Sequence, residues 1–283
     1  MYRLLALDMD GTLLNKQKVI TPKVKEEIRR LVFKGVFVTL ASGRFPPSVW
    51  LHANFLGLNF PLIALNGAII LDPVTGEKRT GIPIPADVAR KLAIFAEQKK
   101  AYIHFYGYHT LYVEQLNEMN RAWPLANVVV DPYKELTEDR YREQVNMIQV
   151  YPVGRLSDFL ADNRTPVYKA TVIHDNPESA REMYEELRTW NELTVSMTGK
   201  RRFDINANGV SKKAALQKIC EQHSISAEEV VAVGDYDNDV DMLQWAGLGI
   251  ALENGSELAK KAAKVVTKSN EEDGVAVAIQ TYF

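Results

Sequence analysis

The sequence has very little cysteine. Cys220 is the single cysteine among 283 residues, so no internal disulfide, thiolate metal site or redox pair can form within the chain. This sparing use of cysteine is typical of proteins from a reducing compartment. The chain also passes from Met1–Arg3 directly into an apolar strand, without the charged, apolar and small-residue regions of a signal peptide. We therefore expect a cytoplasmic protein.

Long apolar runs and an excess of one charge are missing as well. No apolar stretch approaches the ~20 residues that cross a bilayer, and a formal net charge of −2 gives no global attraction to nucleic acid or anionic membranes. With 46% hydrophobic and 25% charged residues, the composition is that of an ordinary globular protein. We expect small-molecule partners, no nucleic acid and no membrane; the sequence does not predict the oligomeric state.

Apolar strands and helices alternate at both ends of the chain. The pattern predicts a strand from Leu4, a helix from Thr21–Pro22 to a stop at Gly35, a strand over 36–41, a helix over 48–56 closed by Gly57, and a strand over 61–65. It resumes with helices over 212–220 and 240–246 and strands over 230–233, 250–252 and 265–267. Short connections between such elements are typical of a parallel sheet. The predicted fold is α/β, with a Rossmann-like parallel-sheet core and helices on both faces.

The middle of the chain has a different pattern. Alternating segments over 101–112, 145–151 and 167–174 separate helices near 87–99 and 177–190. Alternation with a period of two suits a sheet that has one face open or covered by only two helices. We expect an inserted α+β cap domain, which divides the chain into 1–82 (core), 83–202 (insert) and 203–283 (core), with Gly81–Pro85 as a linker or hinge.

Two carboxylates follow the first strand, Asp8 and Asp10, and Gly11 and Thr12 come next. Carboxylates this close repel each other, so the arrangement favours a cation between them or a reacting acid. Magnesium fits because it joins carboxylates to substrate phosphates. The alternative is a simple Asp-Gly turn in which Thr12 is a surface hydroxyl.

A second acidic cluster follows the strand over 230–233. Asp235, at the strand end, is the best candidate to share a cation with Asp8, since the carboxyl ends of parallel strands meet at one edge of the sheet. Asn238 and Asp239 lie at a helix start, where they also suit helix capping. A capped helix with a solvated acidic edge is therefore the alternative.

Groups that suit an anion lie at two further positions. Ser42 and Gly43 offer a hydroxyl and an unobstructed backbone N–H after the second strand. Lys212 begins a helix, where a cation is opposed by the helix dipole, and this position indicates that it faces an acid or a phosphate. A solvated lysine is the alternative.

These segments together resemble a known family. Four of them resemble the ordered motifs of the haloacid dehalogenase superfamily of phosphatases: Asp8–Thr12, Ser42–Arg44, Gly209–Lys212 and Gly234–Asp239. The position of the insert resembles the large α/β cap of the Cof-type phosphatases, as do Asn66–Ala68, Tyr102–Glu114 and Asn270–Val275.

The resemblance implies a mechanism. Asp8 is the nucleophile, and Asp10 is the acid and base, a role that needs a moderately raised pKa. Mg²⁺ is held by Asp8, Asp235 and the main-chain carbonyl of Asp10, with Asp239 as a further ligand or a support. The residues implied in phosphate binding are Met9 and Gly11 in the first loop, Ser42, Gly43, Arg44, Lys212 and Asn238. The implied activity is hydrolysis of small phosphomonoesters such as sugar phosphates, flavin mononucleotide or pyridoxal phosphate.

Other functions remain open at this stage. A phosphomutase can carry the same core, and a phospho-accepting receiver module also gathers acids, a hydroxyl and a lysine at strand ends. The two-residue acid spacing, the insert and the late acid cluster oppose the receiver. A binding protein on a decayed scaffold is opposed by the retention of Asp8, Asp10, Lys212 and Asp235.

The cap sequence offers candidates for substrate recognition. Tyr102, His104, Tyr106 and Tyr108 share one face if their strand is regular, which allows a surface for ring stacking or an ordinary half-buried aromatic face. Arg201 or Arg202 lies late enough in the insert to meet a substrate carboxylate or phosphate.

Overall fold

The computed structural model describes residues 2–162 and 164–283. The first part of the chain forms β1 (Leu4–Leu7), α1 (Pro22–Phe33), β2 (Phe37–Leu40), α2 (Pro46–Leu56), β3 (Leu62–Ala64), β4 (Ile69–Leu71) and β5 (Lys78–Gly81). The middle forms α3 (Ala86–Gln98), β6 (Tyr102–Tyr106), β7 (Thr110–Val113), α4 (Glu118–Ala122), α5 (Glu138–Asn146), β8 (Gln149–Pro152), α6 (Leu156–Phe159), β9 (Lys169–Ile173), α7 (Pro177–Leu187), β10 (Leu193–Gly199) and β11 (Arg202–Ala207). The last part forms α8 (Lys212–Gln222), β12 (Val230–Gly234), α9 (Val240–Trp245), β13 (Leu248–Leu252), α10 (Glu257–Ala262), β14 (Val265–Thr267) and α11 (Gly274–Tyr282).

The core is a five-stranded sheet in the order β14-β13-β12-β1-β2, and all its pairs are parallel. In this sheet β1 lies between strands from opposite ends of the chain, with Leu7 in register with Val233 on one side and Leu40 on the other. Every residue of β1 is buried, as an apolar strand covered on both faces requires. The α/β prediction is confirmed.

Local signals set three helix ends that the sequence predicts, whereas α2 begins two residues earlier than predicted, at Pro46. The Thr21 hydroxyl accepts the N–H of Val24 at 3.3 Å, and Pro22 fills the first turn of α1. Gly57 ends α2 in the left-handed conformation, with φ of 76°, where glycine has no steric penalty. Ser211 caps α8 and accepts the N–H of Ala214 at 3.1 Å.

Strand β3 differs from its predicted role as a third core strand. An isolated parallel bridge joins Ile63 to Ala41, the residue after β2. The ladder of β3 is instead antiparallel to β4, in a separate sheet with the order β3-β4-β5. The reversal occurs at Leu65 and Asn66, which both have positive φ. The chain therefore turns back after three residues of β3.

The cap sheet has the order β10-β11-β9-β6-β7-β8. Apolar and polar side chains alternate along its strands and so lie on opposite faces. Ile103 and Phe105 of β6 pack in one apolar cluster with side chains of α3 and α7. His104 of β6 and Asp204 of β11 are buried polar residues. The other face of the sheet therefore presents polar groups to the core. The predicted inserted cap with its own sheet is confirmed.

The exact limits of the three chain segments stay a prediction. Strand β11 starts at Arg202 and pairs with β9 and β10 of the cap sheet, so the predicted change at 202/203 falls at the beginning of a cap strand. The strand pairing favours a return to the core after Ala207.

A connection in the cap also contacts the core. Between β7 and β8, residues 123–131 lie against the core surface, where Val130 forms a parallel β-bridge with Val19. The Ser48 hydroxyl of α2 donates to the Asn127 carbonyl at 3.0 Å, and this hydrogen bond is buried. This connection thus adds contacts between cap and core to those made where the chain passes from one domain to the other.

The glycine at 67 provides a test of how tightly the start of α8 packs. Gly67 has φ of +105°, and a β carbon there would lie 2.2 Å from the Ser211 carbonyl oxygen, whereas Gly35, with φ of +81°, has nothing within 4 Å of the same position. We expect Gly35→Ala to lower the free energy of unfolding by about 1 kcal/mol, because alanine is strained at positive φ. Gly67→Ala should lower it by at least about 1 kcal/mol more, because the backbone at Ser211 must also move. Urea unfolding measures both. Equal losses would contradict the contact.

Candidate active site

Three carboxylates and one lysine meet beyond the carboxyl ends of β1 and β12. One oxygen each from Asp8, Asp235 and Asp239 lies within 4.8 Å of the other two, and all three residues are buried. The Nζ of Lys212 lies 2.5 Å from Asp8 Oδ1 and 2.7 Å from Asp239 Oδ1. With its side chain 1% exposed, Lys212 faces two acids rather than solvent.

This cluster carries more negative than positive charge. Burial raises the pKa of Asp8 to about 6, and Lys212 offsets only part of that effect. Burial, together with the charges of Asp8 and Asp239, raises the pKa of Asp235 to about 8. Burial alone would lower the pKa of Lys212, but the charges of Asp239 and Asp8 outweigh it and raise that pKa above its ordinary value. One ammonium does not balance three carboxylates, so the cluster suits a further cation.

The first loop brings Asp235 close to its backbone. The Thr12 hydroxyl donates to Asp235 Oδ1 at 2.9 Å, and Thr12 is 2% exposed, so the alternative of a surface hydroxyl is wrong. Gly11 has φ of +86°, and a β carbon there would lie 2.3 Å from Asp235 Oδ2. Only glycine allows this approach.

Asp10 forms ion pairs away from the carboxylate cluster. Arg44 donates from Nε to Asp10 Oδ2 at 2.6 Å and from Nη2 to Oδ1 at 2.7 Å, and Lys18 Nζ lies 2.5 Å from Oδ1. Loss of hydration alone would raise the pKa of Asp10, but Arg44 and Lys18 outweigh it and hold that pKa well below its usual range. The expectation of a raised pKa is therefore wrong in this arrangement, because two cations lie against the carboxylate. The guanidinium of Arg44, predicted to bind phosphate, is engaged by Asp10.

The loop after β2 lies beside the cluster. Ser42 is 2% exposed, and its Oγ accepts the N–H of Arg44 at 3.2 Å. The α carbon of Gly43 packs closely against the side chain of Asn66. Asn66 Oδ1 accepts a hydrogen bond from Asn238 Nδ2 at 3.4 Å. The side chain of Met9 lies in the apolar core, so any contact of Met9 with a phosphate involves its main chain alone.

A cavity of about 420 Å³ extends from Asp8 to the cap. On the core side it is lined by Asp8, Asp10, Lys18, Ser42, Gly43, Arg44, Phe45, Asp235, Tyr236 and Asn238, and on the cap side by Tyr106, Trp123, Ala126, Asn127, Lys169, Thr171, Thr198, Arg202 and Asp204. Of these cap residues, Tyr106 and Arg202 are among those predicted from the sequence, and the others are not. Polar residues that alternate with buried apolar ones along β9 and β11 were the available signal.

The aromatic face of β6 forms only part of this wall. The ring nitrogens of His104 lie 3.3 Å from the Tyr102 hydroxyl and 3.1 Å from the Tyr106 hydroxyl, so these three residues share a face as predicted. Tyr108 lies beyond the strand, and its hydroxyl donates to the Gly76 carbonyl. Tyr106 lines the cavity, and His104 is completely buried. Of the two predicted arginines, Arg202 lines the cavity.

The fold and this site define a class of enzyme, and comparison with known proteins identifies it. A family model described as haloacid dehalogenase-like hydrolase matches residues 5–279. The chain is 30% identical to the 5-amino-6-(5-phospho-D-ribitylamino)uracil phosphatase YitU of Bacillus subtilis, over 99% of this chain and 97% of that protein. It is also 30% identical to a second 5-amino-6-(5-phospho-D-ribitylamino)uracil phosphatase of Bacillus subtilis, YwtE, over 96% of this chain and 95% of that protein.

A solved structure gives the same result. A haloacid dehalogenase-like hydrolase from B. subtilis superposes with a TM-score of 0.85 at 26% identity, over 99% of this chain and 100% of that one. The chain belongs to the haloacid dehalogenase-like hydrolases, and the predicted family is confirmed. The enzyme is a phosphatase, a hydrolase of phosphoric monoesters. No helix among the described residues is both long enough and apolar enough to span a bilayer.

The buried histidine of the cap predicts a pH effect on stability. Burial, with the charge of Lys169, lowers the pKa of His104 from 6.5 to about 3. As the pH falls from about 6.5 toward 3, the unfolded chain binds a proton that the folded one does not, so stability is lost. We expect His104→Gln to reduce the slope of unfolding free energy against pH by up to about 1.4 kcal/mol per unit.

Urea unfolding at several pH values tests this expectation. The matched control is His109→Gln, at an exposed histidine of the same domain, which should leave the slope as in the wild type. An unchanged slope in His104→Gln would show that His104 is not held neutral by the fold.

Proposed function

We propose that this enzyme is a Mg²⁺-dependent phosphatase that hydrolyses small phosphomonoesters through a phosphoryl group carried on Asp8. The observation that supports this most is the position of the Asp8 carboxylate. It lines a cavity of about 420 Å³, with one oxygen held by a buried lysine and Asp235 beside it. A carboxylate fixed at one oxygen presents the other for attack.

The proposed reaction has two displacements. An oxygen of Asp8 attacks phosphorus, the bond from phosphorus to the ester oxygen breaks, and the leaving oxygen takes a proton from Asp10. Water then gives a proton to Asp10 and attacks phosphorus, the bond from phosphorus to the Asp8 oxygen breaks, and phosphate and the Asp8 carboxylate are released. The Asp10 side chain lines the cavity and is 42% exposed, so it is placed to exchange protons with groups in the cavity once Arg44 and Lys18 release it.

Magnesium suits the residues at the cluster. The donors are carboxylate oxygens, which are hard ligands of the kind that Mg²⁺ prefers. Burial and the neighbouring charges of Asp8 and Asp239 raise the pKa of Asp235, and a cation beside the three carboxylates would offset that repulsion. We propose that Asp8, Asp235 and the main-chain carbonyl of Asp10 hold the ion. The bound cation would reduce the repulsion between the Asp8 carboxylate and the substrate phosphate.

Asp239 supports this centre in our proposal. Its Oδ1 accepts from Lys212 at 2.7 Å, and its Oδ2 accepts the N–H groups of Asp235 and Tyr236, each at 3.1 Å. Both oxygens are therefore engaged by protein donors. This arrangement fixes Lys212 and the loop after β12, and leaves the metal to the other acids.

We propose that the remaining polar groups bind the phosphate. The Ser42 hydroxyl, the Gly43 N–H and the Lys212 ammonium all lie at the same end of the core sheet, and Asn238 is oriented by Asn66. Phosphoryl transfer depends mainly on such positioning and on neutralisation of charge.

The cavity wall suggests the class of substrate. Its volume is in the range of small-molecule sites, and Tyr106 and Trp123 provide apolar surface beside the cation Arg202. Because two relatives are named as phosphatases of a phosphoribitylamino-uracil, we propose phosphorylated metabolites with a polar or heterocyclic leaving group. Sugar phosphates, flavin mononucleotide and pyridoxal phosphate belong to this class. We also propose that the enzyme acts in the cytoplasm and binds neither nucleic acid nor membranes.

Substitution of the nucleophile provides a direct test. We expect Asp8→Asn to reduce kcat by at least about 10³-fold with the fold retained, because the amide oxygen is a poor nucleophile. Phosphate release from a metabolite panel with Mg²⁺ measures the loss, and rapid acid quenching followed by mass spectrometry locates the phosphoryl group. The control is Asp241→Asn, at an exposed aspartate of α9. Activity of Asp8→Asn near that of the wild type would refute the assignment.

Removal of the metal gives a second test. We expect chelation with EDTA to abolish turnover and added Mg²⁺ to restore it, with Ca²⁺ a poor substitute because of its larger coordination shell. Asp235→Asn should raise the Mg²⁺ concentration needed for half-maximal rate by roughly tenfold or more, whereas Asp241→Asn should not change it. Full activity after complete chelation would rule out the metal.

A further inference from the structure

A buried ion pair in the cap lies next to the active site and has no role in the chemistry described so far. Lys169 of β9 and Asp204 of β11 are in contact through Nζ and Oδ2, 2.9 Å apart, with side chains 5% and 8% exposed. Buried charges of this kind are retained only where further hydrogen bonds satisfy them. The partners of this pair therefore indicate what it does.

The lysine reaches across to the core. Its Nζ donates to the Gly43 carbonyl oxygen at 2.8 Å, in the loop proposed to bind phosphate. The Gly43 carbonyl and the Arg44 N–H belong to the same planar peptide group, and that N–H donates to Ser42 Oγ. One peptide plane thus connects the cap ammonium to the Ser42 hydroxyl.

The aspartate reaches a second core loop. Asp204 Oδ2 accepts from Asn66 Nδ2 at 3.0 Å, and Oδ1 accepts from the Thr171 hydroxyl at 2.7 Å. Asn66 in turn accepts from Asn238, in the loop after β12. The pair therefore contacts the loop after β2 directly and the loop after β12 through one amide.

We propose that Lys169 and Asp204 are positioning residues through which the closed cap sets the geometry of the Ser42–Arg44 loop. The pair holds the Gly43–Arg44 peptide plane, and this orientation leaves the Ser42 O–H free to donate to a phosphate oxygen. Because Lys169 acts on the loop rather than on the leaving group, its removal should slow all substrates alike. The inference rests on the proposed function for its kinetic part only.

Lys169→Met and the double variant Lys169→Met/Asp204→Asn test this inference. The single variant leaves Asp204 charged and buried without its partner, so we expect it to be less stable than the wild type. The double variant leaves no unpaired charge and keeps the test valid. We expect both to lose about 10- to 100-fold in kcat, by a similar factor for p-nitrophenyl phosphate and for two metabolites with unlike leaving groups. The control is Lys99→Met/Glu186→Gln, which removes an exposed ion pair of the cap.

A second measurement does not require turnover. Without substrate, hydrogen exchange of the backbone amides of residues 42–45 should be faster in the double variant than in the wild type. Orthovanadate should bind more weakly, by a factor similar to the loss in kcat. If the double variant regains stability and wild-type kcat together, or if exchange at residues 42–45 is unchanged, the pair serves stability alone and the inference fails. A loss that varies with the leaving group would instead assign Lys169 to substrate recognition and overturn the inference. Absence of turnover in the wild type would refute the proposed function, and the exchange measurement would still decide the role of the pair.

Discussion

The buried ammonium of Lys212 between Asp8 and Asp239 is the interaction on which the site depends. The parallel sheet brings the acids of β1 and β12 together at one edge, and carboxylates this close remain buried only if positive charge offsets them. The start of α8 places a cation where the helix dipole opposes it, so the two acids must compensate. This contact also joins the two halves of the core, which the cap separates along the chain.

Local signals explain why the core could be predicted. The N-cap at Thr21, the left-handed stop at Gly57 and the continuous apolar run of β1 each act within a few residues. The pairing of β3 could not be predicted in this way, because three residues fit either sheet and the turn at Asn66 decides between them. In the cap, one alternating segment proved to be the hairpin of β6 and β7, since alternation itself does not mark where a strand reverses.

In the candidate site too, the residues marked by local signals could be predicted, and the contacts that depend on tertiary packing could not. Asp8, Asp235, Ser42 and Lys212 could be brought together from the sequence, because each lies at the end of a strand or the start of a helix in one parallel sheet. The lowered pKa of Asp10 could not be predicted, because it depends on an ion pair with Arg44, which lies 34 residues away in the sequence. The alternation along β9 and β11 marks Lys169 and Asp204 as residues of a polar face. Their contacts with the core depend on how that face docks, and this tertiary contact leaves no local pattern.

The connection between β7 and β8 supplies Trp123 and Asn127 to the cavity wall while lying outside the ladder of the cap sheet. Changes in its length would alter the depth of the cavity without shifting the register of any strand. Loops of this kind tolerate insertions better than sheets do. During evolution, changes in this one segment could thereby adapt the fold to substrates with different leaving groups, while the acids and the lysine stay in place.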